Sequence, residues 1–332
     1  MKLQLNPIIA NGAVFAANKP IRIFGIGDGH VAVDFLGEHA ETEGQNGTWL
    51  IKLSPRPDGG PYEMTVTLNG EAVQLTDLYV GEVLLLSGQS NMSFRMNESA
   101  DLPFVNESLD TLRLFSAENV HKNGYFRPQN GWMHCSDRDV IEHCSAIGYE
   151  VGLSIAKKKG CAVGLISAAQ GASVIQSWLP VGALDRLGIR FKPEELHNDH
   201  TGYPTWNGDG ILYNTMIRPS VPYSLSHVIW YQGESNASVA ESRRYKEMLC
   251  ELIRVWRSDF VDATLPFVIV QLADTEKRMR HHDGWITVQK AQAEISSEVA
   301  GVQTVVSRDV CESDDIHPPT KRFLAERIAN II

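Results

Sequence analysis

Residues 83–92 read VLLLSGQSNM, an unbroken apolar run that meets a glycine and, two residues later, a serine. An apolar run without polar alternation is typical of a strand that is buried on both faces of a parallel sheet. Similar runs occur at 163–166 (VGLI), 227–230 (HVIW) and 266–270 (PFVIV). We expect these four segments to be strands of one sheet.

Helical patterns lie between these strands. Apolar residues recur at the spacing of one helix face at Tyr245, Met248, Leu249, Leu252 and Trp256, and again at Leu324, Ile328 and Ile331. Buried strands that alternate with amphipathic helices predict a doubly wound α/β domain with a mainly parallel sheet, which we assign to residues 79–332. In such a sheet the functional residues lie at the carboxyl ends of the strands.

Residues 1–78 have a different pattern. Short runs with apolar–polar alternation are separated by turn signals such as Asn11-Gly12 and Asn69-Gly70. The clearest run, YEMTVTL at 62–68, ends at the second of these turns. Short strands at this spacing predict a small antiparallel β-sandwich domain over residues 1–78.

The composition is typical of a soluble globular protein. The 332 residues carry a formal net charge of -10 at pH 7, which argues against binding to nucleic acid or to anionic membranes. No window approaches the roughly 18 apolar residues of a membrane span, and the N-terminus lacks the pattern of a signal peptide. We therefore expect a cytoplasmic protein, or a secreted one if a leader has been removed. The sequence leaves the oligomeric state open.

Ser90 is the strongest candidate for a catalytic group. A serine hydroxyl is a weak nucleophile until a base removes its proton, and a strand followed by Gly-x-Ser can hold it at a sharp turn. The segment differs from the Gly-x-Ser-x-Gly elbow of the α/β-hydrolases because Met92 occupies the last position. On spacing alone, a polar cap between a strand and a helix explains the segment equally well.

His317 is the matching candidate for the base. It lies in the segment DDIHPP at 314–319, where an acid shortly before a histidine can orient the ring and stabilise its protonated form. Helix capping would explain the carboxylates of Asp314 and Asp315, because acidic residues are common beside helix N-termini. It does not explain the histidine.

Two further polar loops follow buried strands. Residues 229–236 (IWYQGESN) include the side-chain amides of Gln232 and Asn236, either of which could donate to a developing oxyanion. Residues 167–173 (SAAQGAS) include Gly171, which allows backbone N–H groups to approach a substrate closely. Either loop alone could be an ordinary connection, but four such loops at one sheet edge indicate a functional site.

These segments together resemble the sequence blocks of the SGNH hydrolase superfamily and, more narrowly, of the sialate O-acetylesterase family of carbohydrate esterases. The resemblance rests on GQSNM at 88–92, the Gly171 loop, WYQGESNA at 230–237 and DDIHP at 314–318, and it extends over nearly the whole chain. It implies a flavodoxin-like hydrolase domain. It also implies removal of acetyl groups from sialic acid or another acetylated sugar, such as a xylan fragment, through an acetyl-enzyme.

The resemblance implies roles for the candidate residues. Ser90 would be the nucleophile, His317 the base and Asp314 the acid that orients it, although Asp315 lies one residue nearer to the histidine. Two other functions stay open, because a fold does not determine its substrate. One is an esterase or thioesterase that acts on a non-sugar acyl group, and the other is a carbohydrate-binding protein whose hydrolase site has decayed.

The resemblance also implies an oxyanion hole. The backbone N–H groups of Ser90 and Gly171 would form part of it, and a side-chain amide would complete it. Gln232 and Asn236 both fit that role, and Gln232 is the preferred candidate.

Several other residues could contact a sugar. The candidates are the aromatic residues Trp178, Tyr203 and Trp206 and the polar residues Gln89, Asn91 and Glu234. For any one of the aromatic residues, packing against the sheet is at least as good an explanation. The histidine-containing strings at 197–200 and 281–283 lack an identifiable third ligand, and the five cysteines include no Cys-x-x-Cys pair. We therefore expect no metal and no cofactor, and an acetylated small sugar or oligosaccharide as the partner.

Overall fold

The computed structural model has a mixed α/β fold around one large sheet, and it describes residues 4–105, 109–117, 131–196, 205–274, 282–313 and 315–332. The strands are β1 (Gln4–Leu5), β2 (Val14–Ala16), β3 (Ile21–Ile26), β4 (Gly29–Phe35), β5 (Glu38–Gly44), β6 (Thr48–Leu53), β7 (Gly59–Leu68), β8 (Glu71–Gly88), β9 (Leu112–Ser116), β10 (Met133–His134), β11 (Ala162–Ala169), β12 (His227–Tyr231), β13 (Phe267–Val270) and β14 (Val302–Val305). The helices are α1 (Ser90–Ser93), α2 (Arg138–His143), α3 (Ala146–Lys159), α4 (Ala183–Arg186), α5 (Val239–Asp259), α6 (His282–Glu298) and α7 (Arg322–Ala329).

Strand β8 organises the large sheet. Its first part pairs antiparallel with β7, and its last part lies between β11 and β12 and pairs parallel with both. Among the described residues the sheet has eleven strands, and its main path runs β10-β9-β11-β8-β12-β13-β14. Residues 83–88 of β8 are all buried, as the apolar run predicts.

The N-terminal strands are joined to this sheet rather than set apart from it. Strands β1, β3 and β6 form a small antiparallel sheet of their own. By contrast, β2 pairs directly with β8. Strand β7 also pairs with β8, β4 pairs with β7, and β5 pairs with β4. The domain boundary expected after residue 78 falls inside β8, because this strand continues through 18 residues.

The helices pack in pairs beside the sheet, α3 with α7 and α5 with α6. The helix predicted from the repeat that includes Tyr245 and Trp256 is confirmed as α5, and the five apolar residues of that repeat are buried. No helix in the described part of the chain is long and apolar enough to cross a membrane.

The register of the sheet brings the polar loops together. Gly88 at the end of β8 is paired with Ala169 at the end of β11 and with Tyr231 at the end of β12. The three strands therefore stop at the same level, and the residues that follow them, including Ser90 and Gly171, lie along one edge.

Candidate active site

Ser90 is held at a turn that only glycine allows. The preceding Gly88 has a φ of 134°, and a Cβ on it would lie 2.1 Å from the carbonyl oxygen of Tyr231. The backbone of β12 thus approaches β8 too closely for any side chain at this position. Ser90 follows as the first residue of α1 and is partly exposed.

His317 lies directly against the serine. Its Nε2 atom is 2.7 Å from Ser90 Oγ, which is hydrogen-bond distance for proton transfer from a hydroxyl. The imidazole stacks on the ring of Phe94, with 6.2 Å between ring centroids and an angle of 23° between the planes. The structure therefore brings together the two residues that the sequence suggested as nucleophile and base.

The structure describes only one of the two acidic residues before the histidine. Asp314 lies outside the described residues. Asp315 accepts a hydrogen bond through Oδ1 from the backbone N–H of His317 at 3.0 Å, so its carboxylate holds the loop that carries the imidazole. Asp314 as the acid that orients the ring stays a prediction.

The Gly171 loop borders the nucleophile. A Cβ on Gly171 would lie 3.7 Å from Ser90 Cβ, so the backbone at this point passes beside the serine. Trp206 Nε1 donates to the Gly171 carbonyl oxygen at 3.2 Å, and Asn207 Nδ2 donates to the Ala172 carbonyl oxygen at 2.8 Å. These two bonds fix the orientation of successive peptide groups beside Ser90.

The two amides proposed for the oxyanion hole are fully buried and their N–H groups are already engaged. Gln232 Nε2 donates to the Ser173 carbonyl oxygen at 2.9 Å and to Asn236 Oδ1 at 2.7 Å. Asn236 Nδ2 donates to Gln176 Oε1 at 2.7 Å and to Glu241 Oε1 at 3.2 Å. An amide has only two N–H donors. In this structure Gln232 and Asn236 therefore brace the loops behind the site instead of facing an oxyanion.

Two of the proposed substrate contacts are likewise buried, and a third lies outside the described residues. Gln89 is buried, and its Oε1 accepts from the N–H groups of Gly233 and Ser235, each at 3.3 Å. Trp178 is fully buried and packs edge-to-face against Trp230, so it offers no ring face to a sugar and fits the packing explanation. Tyr203 lies outside the described residues.

Trp206 is the aromatic candidate that lies at the site. It is half-buried and bonded to Gly171 beside the nucleophile. The histidine-containing string at 197–200 and His281 also lie outside the described residues.

Asn91 and Glu234 belong to a buried polar network behind Ser90 and His317. Asn91 Nδ2 donates to Glu234 Oε1 at 2.8 Å, and Asn91 Oδ1 accepts from Lys321 Nζ at 2.8 Å. Burial raises the pKa of Glu234 from 4.5 to about 7. Burial also lowers the pKa of Lys321 from 10.5 to about 8. Asn91 and Glu234 thus point into the interior, although the sequence suggested that they contact substrate.

Sequence reasoning missed Lys321. A lysine just before an amphipathic C-terminal helix usually marks a solvent-exposed position. The available signal was its place four residues after His317, within a segment already suspected of catalysis.

The arrangement places a serine at a tight turn within hydrogen-bond distance of a histidine, which is the geometry that removal of a hydroxyl proton requires. The family model described as "Carbohydrate esterase, sialic acid-specific acetylesterase" matches residues 80–331. The chain belongs to this family of carboxylic ester hydrolases.

Known relatives agree with this assignment. The chain is 25% identical to human sialate O-acetylesterase over 313 residues, which cover 85% of this chain and 59% of that protein. It is also 25% identical to the mouse sialate O-acetylesterase over 339 residues, which cover 85% and 62%. The chain thus spans about three fifths of the length of these curated relatives.

A solved structure extends the likeness to the N-terminal strands. The crystal structure of a carbohydrate acetylesterase from Xanthomonas citri has a TM-score of 0.84 and 28% identity, and it covers 98% of this chain and 74% of that one. A protein from Arabidopsis thaliana shares the fold with a TM-score of 0.52 and 17% identity, over 75% of this chain and 96% of that one.

Proposed function

We propose that this protein is a serine esterase that removes O-acetyl groups from a carbohydrate. The observation that carries the proposal is the 2.7 Å contact between Ser90 Oγ and His317 Nε2 at the end of three parallel strands. The chain belongs to a family of acetylesterases, and its relatives are described as sialate or carbohydrate acetylesterases. Both facts support acetyl as the group removed and a sugar as the alcohol released.

The reaction follows from this geometry in two steps. Ser90 Oγ attacks the acetyl carbonyl carbon while His317 Nε2 takes the hydroxyl proton. The backbone N–H groups of Ser90 and Gly171 stabilise the negative oxygen. The bond to the sugar oxygen breaks, His317 returns the proton to that oxygen, and the sugar leaves an acetylated Ser90.

The second step uses water in the same way. His317 takes a proton from water as the water oxygen attacks the acetyl carbon. The bond to Ser90 Oγ then breaks, the serine regains its proton from the histidine, and acetate leaves. The acetyl ester and water are the two reactants, and the serine and histidine are regenerated.

We assign this chemistry to an SGNH-type, flavodoxin-like domain. The parallel pairing of β9, β11, β8, β12, β13 and β14 supports that assignment. The N-terminal strands would buttress it, because they join the same sheet through β8.

Sialic acid and other acetylated sugars are the proposed substrates. The half-buried indole of Trp206 beside Gly171 supports a sugar, because aromatic rings provide flat apolar surface next to the nucleophile. A non-sugar ester is the second candidate. The intact Ser90–His317 contact favours both of these over a decayed site.

Acetate release from an aryl acetate and from a panel of acetylated sugars tests the proposal. We expect the Ser90→Ala variant to lose at least about 10³-fold in kcat/KM. Ser297→Ala is the control, because it removes an exposed serine hydroxyl from α6 and should keep activity near wild type.

Each alternative has its own result. Activity on aryl acetates with none on acetylated sugars would favour a non-sugar ester. Sugar binding without acetate release would favour a decayed site. Full activity in Ser90→Ala would show that another residue is the nucleophile.

A further inference from the structure

Asn91 is the centre of the buried network, and both its NH₂ group and its carbonyl oxygen are hydrogen-bonded. It is the second residue of α1 and only 2% exposed. Its Nδ2 donates to Glu234 Oε1 at 2.8 Å and to the carbonyl oxygen of Ile316 at 2.9 Å. Its Oδ1 accepts from Lys321 Nζ at 2.8 Å. An amide has two donors and one carbonyl, and here each faces a matching partner.

Asn91 and its partner Ile316 are the chain neighbours of the proposed nucleophile and base. Asn91 follows Ser90 in the chain, and Ile316 precedes His317. The bond from Asn91 Nδ2 to the Ile316 carbonyl oxygen therefore ties the backbone of the nucleophile to the backbone of the base, across 225 positions of sequence.

We propose that Asn91 is a positioning residue that sets the distance between Ser90 Oγ and His317 Nε2, and that Glu234 and Lys321 hold its amide in the required orientation. The inference rests on the proposed function, in which this pair performs the proton transfer. Asn91 touches neither substrate nor the reacting atoms, so it acts through the two loops that it joins.

The two charged partners explain why the amide stays oriented. Lys321 Nζ carries only donors and faces Asn91 Oδ1, while Glu234 Oε1 accepts from Nδ2, so a flipped amide would turn its own NH₂ group toward the ammonium. Lys321 itself is completely buried, and its Nζ lies 4.9 Å from the centre of the Phe94 ring, on which His317 stacks. The network thus contacts both Phe94, on which the imidazole stacks, and the backbone just before His317.

An exchange of two side chains separates this positioning role from a general structural role. In the double variant Asn91→Asp, Glu234→Gln, the new carboxylate can accept from Lys321 Nζ and from the new amide at position 234. Lys321 Nζ still donates to residue 91, and the bond between residues 91 and 234 is re-formed with donor and acceptor exchanged. One carboxyl group and one amine stay buried. The bond to the Ile316 carbonyl oxygen cannot form, because a carboxylate has no hydrogen to donate.

The experiment measures folding and reactivity side by side on the full chain. Thermal unfolding reports on the network, and kcat and KM for an aryl acetate report on catalysis. The rate of covalent labelling by a fluorophosphonate reports on Ser90 and His317 without any sugar. Ser90→Ala, which should not be labelled, shows whether the proposed nucleophile is correct before any Asn91 variant is interpreted.

We expect the single variant Asn91→Asp to lose stability, because its carboxylate would face Glu234. The double variant should regain most of that stability. Its kcat and labelling rate should stay at least about 30-fold below wild type, with KM changed less than about 3-fold, because misplacement by about 1 Å can cost on the order of 10²-fold. Return of kcat and labelling together with stability would overturn the proposal.

Two further variants complete the test. Gln289→Glu converts another buried amide, which donates to the Leu272 carbonyl oxygen and to Asp274, and it should lose stability while folded enzyme keeps wild-type kcat. If neither Asn91 variant folds, Lys321→Met decides the question, because it frees the Asn91 carbonyl. Slower labelling by about 3-fold or more would support the proposal, and wild-type labelling would overturn it.

Discussion

Glu234 provides a prediction that links burial to the pH dependence of stability. The residue is 4% exposed, and its Oε2 has no hydrogen-bond partner among the described residues. Burial raises its pKa from 4.5 to about 7, because the charged form loses its hydration. A raised pKa means that the folded state favours the proton. This contribution to stability is therefore complete below pH 4.5 and is lost as the pH rises through about 7.

The size of the effect follows from the shift. Each pKa unit corresponds to about 1.4 kcal/mol. At pH 7 about half of the Glu234 carboxyl groups are still protonated in the folded state. The free energy of unfolding therefore falls by about 2 to 3 kcal/mol between pH 4.5 and pH 7. In wild type Lys321 stays charged in this range, because its lowered pKa of about 8 keeps it charged below pH 7.

Urea unfolding of wild type and Glu234→Gln, followed by tryptophan fluorescence at several pH values from 4.5 to 7, measures this loss. The difference between the two proteins reports the ionisation of Glu234 together with its coupling to Lys321, whose pKa the Glu234 carboxylate raises. Any constant cost of the glutamine cancels from the pH dependence. We expect wild type to lose about 2 to 3 kcal/mol more than the variant as the pH rises.

Glu326→Gln is the matched control, because its carboxyl group is exposed on α7. This variant should follow the wild-type curve. If the Glu234→Gln curve is also parallel to wild type within about 0.5 kcal/mol, Glu234 does not ionise in a buried site and the reasoning is refuted.

Two more predictions concern the groups beside Ser90. Gly88→Ala should destabilise the protein by more than about 3 kcal/mol or prevent folding, because its Cβ would lie 2.1 Å from the carbonyl oxygen of Tyr231; thermal unfolding and soluble yield measure this. Trp206→Phe should keep the fold but lower kcat for an aryl acetate by about 3- to 10-fold, because it removes the N–H that holds the Gly171 carbonyl oxygen.

Each of these has a control in the N-terminal part of the chain, one in the turn between β4 and β5 and one in β6. Gly37→Ala introduces a methyl group with no heavy atom within 4 Å, so it should cost only the about 1 kcal/mol of a left-handed backbone. Trp49→Phe removes a similar indole bond, to the Ile26 carbonyl oxygen at 3.3 Å, and should leave kcat unchanged. A stable Gly88→Ala protein, or equal kcat in Trp206→Phe and wild type, would contradict the respective prediction.

The sequence predicted the strands and helices whose pattern of buried residues is regular. The apolar run of β8 and the helical repeat of α5 are buried as expected, because a strand inside a sheet and one face of a helix each impose a simple period. The residues suggested as nucleophile and base also meet, since the loop after β14 that carries His317 lies at the same sheet edge as the turn after β8.

The sequence could not predict where a strand continues or which way a side chain points, because the residue type does not determine either. Strand β8 changes from exposed to buried along its length, so its two halves appear as two elements and suggest a boundary that the strand does not have. Gln232 and Asn236 follow a strand end, as an oxyanion donor would. Their position in the sequence does not show whether the amides face Ser90 or the interior.

The buried charges behind the site are better explained by catalysis than by stability. Burial shifts the pKa of Lys321 down and that of Glu234 up, and both directions mean that the charged forms cost free energy in the folded state. Apolar residues of similar volume would often be as stable or more so. They could not hold the Asn91 amide toward the Ile316 carbonyl oxygen, beside His317, which is the contact that these two charges keep in place. A site whose serine and histidine lie on separate loops needs such a tie, because packing alone does not specify an interatomic distance to a fraction of an ångström.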